Sequence, residues 1–326
     1  MFRKKVYLCL CKLLNASFMT GPLFYAKILL FGEYGIIKDS KGLAIPYNHY
    51  QGALKMASSP SEKTEESNQN LQKFQNYLAT LTSDLVSFRL DLFQLDLDNG
   101  MYFDSSIPQG YGVGSSGALV ASVYDKYAEN KITVLENLTK EKLLKLKQIF
   151  ALMESFFHGN SSGLDPLNSY LSLPILINSA THLEATGIPY QKNSKAAVFL
   201  LDSKIVGETE PMVSIFMNKM KNEGFRKMFN EEFAKHTNSC IKDFLHGDVT
   251  SLFSNMKHLS KVVLENFKPM IPRAFHHLWQ QGIESNDYYL KLCGSGGGGY
   301  ILGFAKDYEK VQKQLKDYRL ELVYRF

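Results

Sequence analysis

The chain has 326 residues, enough at ~100–200 residues per domain for two domains with cores of their own. With 45% hydrophobic and 21% charged residues it is composed like an ordinary globular protein, which excludes a disordered or low-complexity chain. Its net charge of +5 comes from Lys and Arg scattered along the sequence, with no basic stripe interleaved with aromatics, so nucleic acid is not an expected partner.

The chain opens on "MFRKKVYLCLCKLLNASFM", a basic start and a short apolar run broken by Lys12. That run is too short to span a membrane, and no A-x-A cleavage site follows it. Met19 stands directly before strand-like patterning. Residues 1–18 are therefore expected to be an upstream extension or non-native start, with a weak signal peptide as the other reading. The four cysteines, Cys9, Cys11, Cys240 and Cys293, show neither zinc-site spacing nor a disulfide framework, so a reducing, cytoplasmic setting is expected, with no membrane association.

Residues 24–37 read as a buried strand, a tight turn at Gly32 and a continuation, and residues 42–56 as a further strand pair. The polar, breaker-rich stretch 57–70 reads as an exposed loop. Leu71, Phe74, Leu78 and Leu81 predict a helix over 71–82. Residues 88–100, "FRLDLFQLDLDNG", alternate apolar and polar side chains and end in Asn-Gly, a hairpin signal. Leu143, Leu146, Phe150, Met153 and Phe157 recur at three- and four-residue spacing, predicting an amphipathic helix from Thr139 to Phe157. A second α+β region begins near residue 195, carries helices across 211–282 and closes on strands around a second glycine cluster. The domain boundary is expected at residues 180–195, giving domains of 19–190 and 191–326.

Four stretches could carry chemistry. In "PQGYGVGSSGA" the glycines at 110, 112, 114 and 117 do not match a dinucleotide fingerprint. No Lys completes a Walker A loop, and neither Ser115 nor Ser116 sits in a nucleophile elbow. The stretch is either a turn that bares N–H groups toward an anion at a helix N-terminus or a glycine-rich surface turn. "KLCGSGGGGYILGFA" sets glycines between strand-like flanks, where glycine marks close approach of backbone or ligand. In "MESFFHGNSSGLDP", Glu154 borders an apolar helix face. It is either a rim residue with its head in water, or a metal ligand paired with a catalytic Asp165. In "AKILLFGEY", Lys27 lies in an apolar strand and is either snorkelling or paired.

Together, and in this order, these stretches resemble the motifs of the GHMP kinase superfamily, most closely those of its mevalonate kinases. The resemblance runs from about residue 21 to the C-terminus. "PQGYGVGSSGA" is similar to the central P-x-G-x-G-L-G-S-S-A motif, and "KLCGSGGGG" to the C-terminal glycine motif. "KILLFGEY" is similar to K-x-x-L-x-G-E-H, and "ESFFHGNSSGLD" to E-x-x-x-H-G-N-P-S-G-x-D without a gap.

The resemblance implies an α+β, two-domain GHMP kinase fold. Its N-terminal domain would be ribosomal-protein-S5-domain-2-like, its C-terminal domain ferredoxin-like, and the active site would lie in the cleft between them. It implies ATP and Mg²⁺ as cofactors, with Asp165 as the catalytic carboxylate and Lys27 as its positive partner. Pro108, Gly110, Gly112, Gly114, Ser115, Ser116 and Gly117 would hold the nucleotide, and Ser116 and Glu154 the Mg²⁺. Glu33, Tyr34, His158 and Thr209, the last in the loop "KIVGET", would lie on the acceptor side. Gly294, Gly296, Gly297 and Gly298 would lie near the phosphates. The implied reaction is ATP-dependent phosphorylation of the mevalonate 5-hydroxyl, in isoprenoid precursor synthesis, by a monomer or homodimer. Phosphomevalonate or a sugar as acceptor, diphosphomevalonate decarboxylation and a non-catalytic ATP sensor are the alternatives. Tyr34 stands where the family has histidine, Ser161 where it has proline, and Gly117 where it has alanine.

Overall fold

The computed structural model describes residues 21–38, 40–133, 138–191 and 194–326, except for the side chain of His158. The readings of residues 1–18, and of His158 as an acceptor contact, lie outside what is described.

The first half is built on an antiparallel five-stranded sheet: β1 (Phe24–Phe31), β2 (Gly42–Met56), β3 (Met101–Ser105), β4 (Ile175–Ser179) and β5 (His182–Ala185). β1, β3 and β4 all pair with β2. Among the described residues, five helices accompany it: α1 (Glu62–Thr80), α2 (Leu90–Asp98), α3 (Ser115–Tyr127), α4 (Lys140–His158) and α5 (Leu164–Leu171). The second sheet holds β6 (Ala197–Asp202), β7 (Tyr288–Leu292), β8 (Tyr300–Ala305) and β9 (Leu320–Arg325) in the order β7-β8-β6-β9, all antiparallel. Helices α6 (Thr209–Lys219), α7 (Glu223–Met228), α8 (Ala234–His246), α9 (Val249–Asn266) and α10 (His276–Ser285) lie between β6 and β7, and α11 (Tyr308–Gln314) between β8 and β9. A helical connection, a β7–β8 pair and a second helical connection make the split βαβ arrangement of a ferredoxin-like domain.

Several local expectations are corrected. Residues 42–56 are one long strand, not two, because the polar Asn48–His49–Tyr50 segment is absorbed as a bulge against Tyr25 and Ala26. After β1 the chain makes a short 3₁₀ turn (Gly35–Lys38), with no strand continuation. The stretch taken as loop up to residue 70 holds the first turns of α1. Ser61 and Thr64 close a reciprocal capping box, and Glu62 and Glu65 lie in the first turn, where the helix dipole favours them. Residues 90–98 are helix, not strand. Helical spacing buries Phe93 and Leu97 and leaves Leu95 56% exposed, whereas strand alternation would have turned Leu95 inward. Asn99 caps this helix and Gly100 follows at φ +83°, so the Asn-Gly pair ends α2 instead of turning a hairpin.

The helix over 140–158 forms as predicted, with the Thr139 hydroxyl accepting from the Lys142 amide. The two halves share apolar contact. Phe31, at the end of β1, stacks on Phe304 of β8 at 5.5 Å and meets Phe244 of α8 edge-on at 6.3 Å. Beside this contact, the Tyr50 and Tyr300 hydroxyls both donate to Oε1 of the buried Glu321, at 2.7 and 3.0 Å. Among the described residues, no helix is long and apolar enough to cross a membrane.

Candidate active site

The glycine stretch at 110–114 runs directly into α3, so the amides of its first turn have no helical acceptor and point out of the helix. Gly112 has φ +76°, and a Cβ there would stand 2.6 Å from the Cys293 carbonyl oxygen. Backbone thus approaches backbone across the two halves of the molecule. On the same loop, Gly207 N–H donates to the Gly110 carbonyl at 2.9 Å and Tyr300 N–H to that of Tyr111 at 3.3 Å. Pro108, half-buried, leads into this loop, and Ser115 is the first residue of α3.

Gly117 explains its own departure from the motif. A Cβ would lie 2.7 Å from the Asp165 carbonyl carbon and 2.8 Å from Pro166 N, so glycine lets α3 press its first turn against that of α5. The helix carrying Ser116 and the helix carrying Asp165 therefore meet at their N-termini. Both point the positive ends of their dipoles into one region.

Lys27 projects from the middle of β1 and its Nζ lies 2.8 Å from Asp165 Oδ1. The lysine is buried, while the Asp165 side chain is 38% exposed, so the pair opens on the carboxylate side. Burial acts to lower the Lys27 pKa, but the Asp165 carboxylate, with smaller help from Cys293 and Glu154, outweighs it and raises the net value. The ammonium is therefore held charged. Of the two readings of Lys27, it is paired.

Glu154 is buried, which corrects the reading of it as a rim residue in water. Ser116 donates to its Oε1 at 3.1 Å and Ser161 to its Oε2 at 2.5 Å. Burial first, then the nearby Asp165 charge, push its pKa up to about 8 against the pull of the two serines and Lys27. A hydroxyl and a carboxylate side by side are hard oxygen donors of the kind Mg²⁺ takes from protein while keeping waters and phosphate oxygens as its other ligands. Among the described residues no group of three or more His, Cys, Asp or Glu could hold a metal ion.

The remaining residues singled out from sequence gather around the second glycine cluster, which joins β7 to β8. Tyr34 is buried at φ +59°, its ring stacked on Phe216 at 4.6 Å and its hydroxyl donating to the Ser295 carbonyl at 2.5 Å. Thr209 begins α6 and is exposed, and its hydroxyl accepts from Ser295 Oγ at 3.5 Å. Tyr34 and Thr209, far apart in sequence, thus meet at one serine. Gly294 faces Gly112, Gly296 packs on the Met270 carbonyl, Gly297 on Met212 and Gly298 on the 205–207 backbone.

Glu33 is buried in an ion pair with Lys291 of β7, joining the two halves. Sequence reasoning passed over Lys291, although "YYLKLC" carries the signal used for Lys27, a lone lysine in an apolar strand. Lys291→Met leaves the Glu33 carboxyl buried without its partner and is expected to cost about 3 kcal/mol in stability. Adding Glu33→Gln removes the orphaned charge and is expected to recover more than half of that loss. Chemical denaturation of the two variants checks this, and additive losses would refute the pairing.

Comparison with known proteins gives the site a context. The family model for the GHMP kinases N terminal domain matches residues 78–172, which include the glycine loop, Ser116, Glu154 and Asp165. By sequence, no curated protein matches the chain. Among solved structures, L. major mevalonate kinase in complex with R-mevalonate superposes with a TM-score of 0.63 at 17% identity, covering 95% of this chain and 97% of that one. Lactococcus lactis galactokinase complexed with galactose gives 0.61 at 15% identity, with 98% of each chain covered. Streptococcus pneumoniae phosphomevalonate kinase, with phosphomevalonate and AMPPNP, gives 0.60 at 12%, covering 93% of this chain and 99% of that one. At these identities the likeness is one of fold, extends over nearly the whole chain and agrees with the two-domain α+β architecture. Residues 78–172 thus match the GHMP kinases N terminal domain, and the chain as a whole is similar in fold to these mevalonate kinase, galactokinase and phosphomevalonate kinase structures.

Proposed function

We propose that the protein is an ATP-dependent small-molecule kinase and that its acceptor is mevalonate, phosphorylated on the 5-hydroxyl. The observation that carries the kinase reading is the meeting of the two helix N-termini. It brings the Lys27–Asp165 pair, open on its carboxylate side, beside the Ser116–Glu154 oxygen pair. Phosphoryl transfer asks for positioning and charge neutralisation more than for covalent chemistry, and these groups supply both.

The amides of the first turn of α3 would take phosphate oxygens, with the glycine loop wrapping the rest of the chain of phosphates. Ser116 and Glu154 would hold Mg²⁺, which when bound neutralises charge on the β- and γ-phosphates. Lys27, kept as the ammonium by Asp165, offsets charge near the group being transferred. Asp165 orients the acceptor hydroxyl and accepts its hydrogen bond.

Mevalonate is supported by the gapless "ESFFHGNSSGLD" segment. Phosphomevalonate or a sugar is the second reading, favoured by Tyr34. It replaces the family's histidine and spends its hydroxyl on the Ser295 carbonyl. The test is ADP release from the purified protein with Mg-ATP and, in turn, mevalonate, phosphomevalonate and a panel of sugars. Turnover on mevalonate alone supports the first reading. Turnover only on another acceptor keeps the kinase and replaces the substrate, and none on any acceptor with ATP still bound leaves a nucleotide sensor.

A further inference from the structure

Ser161 occupies the position where the motif it resembles carries proline, a residue with no hydroxyl. Here the hydroxyl is engaged on both sides. It donates to Glu154 Oε2 at 2.5 Å and accepts from the Gly163 amide at 3.1 Å. Gly163 is the N-cap of α5, two residues before Asp165. On the far side of the carboxylate, Ser116 of α3 donates to Oε1 at 3.1 Å. A chain of hydrogen bonds therefore runs from the start of α5, through Ser161 and Glu154, to the start of α3.

Two physical consequences follow. The terminal torsion of a glutamate is broad and soft, so a carboxylate held at one oxygen still swings. Held at both, by two hydroxyls on different elements, it keeps one plane. The chain also fixes Glu154 relative to the N-terminus of the helix that carries Asp165.

We propose that Ser161 is a positioning residue for the magnesium–triphosphate site, pinning Glu154 and tying it to the helix that carries Asp165. This rests on the kinase reading above. Ser161 presets in this chain the geometry that the cation needs, and hydrogen-bond partners that orient a metal-ligating side chain are worth ~10–100-fold in metal affinity.

The test measures binding, without turnover. AMPPNP is titrated into the full-length protein by calorimetry, once with Mg²⁺ and once with EDTA, and the ratio of the two affinities gives the magnesium-dependent gain. Ser161→Ala is expected to cut that gain about tenfold with the EDTA affinity unchanged, and Ser161→Thr to restore it. An Ala variant with the wild-type gain overturns the proposal. So does one that loses affinity equally in EDTA, which a merely structural role would produce. If the wild-type protein itself shows no magnesium-dependent gain, the kinase reading fails and the proposal with it, an outcome visible before any variant is made.

Discussion

Asp165→Asn is expected to lower kcat by about three orders of magnitude while the KM for ATP stays within a few-fold of wild type. Asparagine has nearly the same shape, and its oxygen can still accept from Lys27, which stands 2.8 Å from Asp165 Oδ1. The change therefore removes charge and basicity rather than contact. In the proposed reaction the acceptor hydroxyl would lose the group that orients it, and the Lys27 ammonium loses the counter-charge that outweighs its burial. A stability loss of about 2 kcal/mol should accompany the kinetic effect, less than for a fully buried pair because the Asp165 side is 38% exposed. Steady-state kinetics alongside denaturant unfolding separate the two effects. A folded variant with kcat within tenfold of wild type would remove Asp165 from the reaction.

Gly112→Val is expected to weaken nucleotide binding at least 100-fold, about 3 kcal/mol, in a protein whose two halves still fold. Two costs combine. A β-branched residue at φ +76° is strained, by ~1–3 kcal/mol, in a region that L side chains avoid. Its Cβ would also stand 2.6 Å from the Cys293 carbonyl oxygen, so the glycine loop must lift off the β7–β8 connection. The loop is moreover bonded at Gly110 and Tyr111 to residues of the second half, so lifting it disturbs the contact between the halves as well as the turn. AMPPNP titration with circular dichroism as the folding control checks this. Wild-type affinity in a folded Gly112→Val protein would mean that the loop does not hold the phosphates.

The sequence by itself carried the chemistry-bearing segments. Glycines next to a helix start, a lysine inside an apolar strand and the segment from Glu154 to Asp165 are local patterns, set by backbone freedom, burial and spacing within one stretch of chain. The same holds for α4, whose apolar repeat is strong over its whole length, whereas the ferredoxin-like second half was implied only by the resemblance of the motifs. Local patterning failed where two periods coexist. Residues 90–98 satisfy both strand alternation and helical spacing, and only packing of Phe93 and Leu97 into the core decides for the helix. The polar start of α1 has no apolar repeat to announce it, and its capping box is legible only once the helix is known.

What tertiary structure alone decided is pairing between residues distant in the chain. No local signal tells that Glu33 meets Lys291, that Tyr34 and Thr209 meet at Ser295, or that Gly117 is small because Asp165 and Pro166 lie against it. Nor does any tell that Glu154 is buried between two serines instead of lying at a wet rim. Sequence specifies which side chains must leave water. Which partner each finds there depends on how the two halves, packed together at Phe31 and Tyr34, bring their loops together.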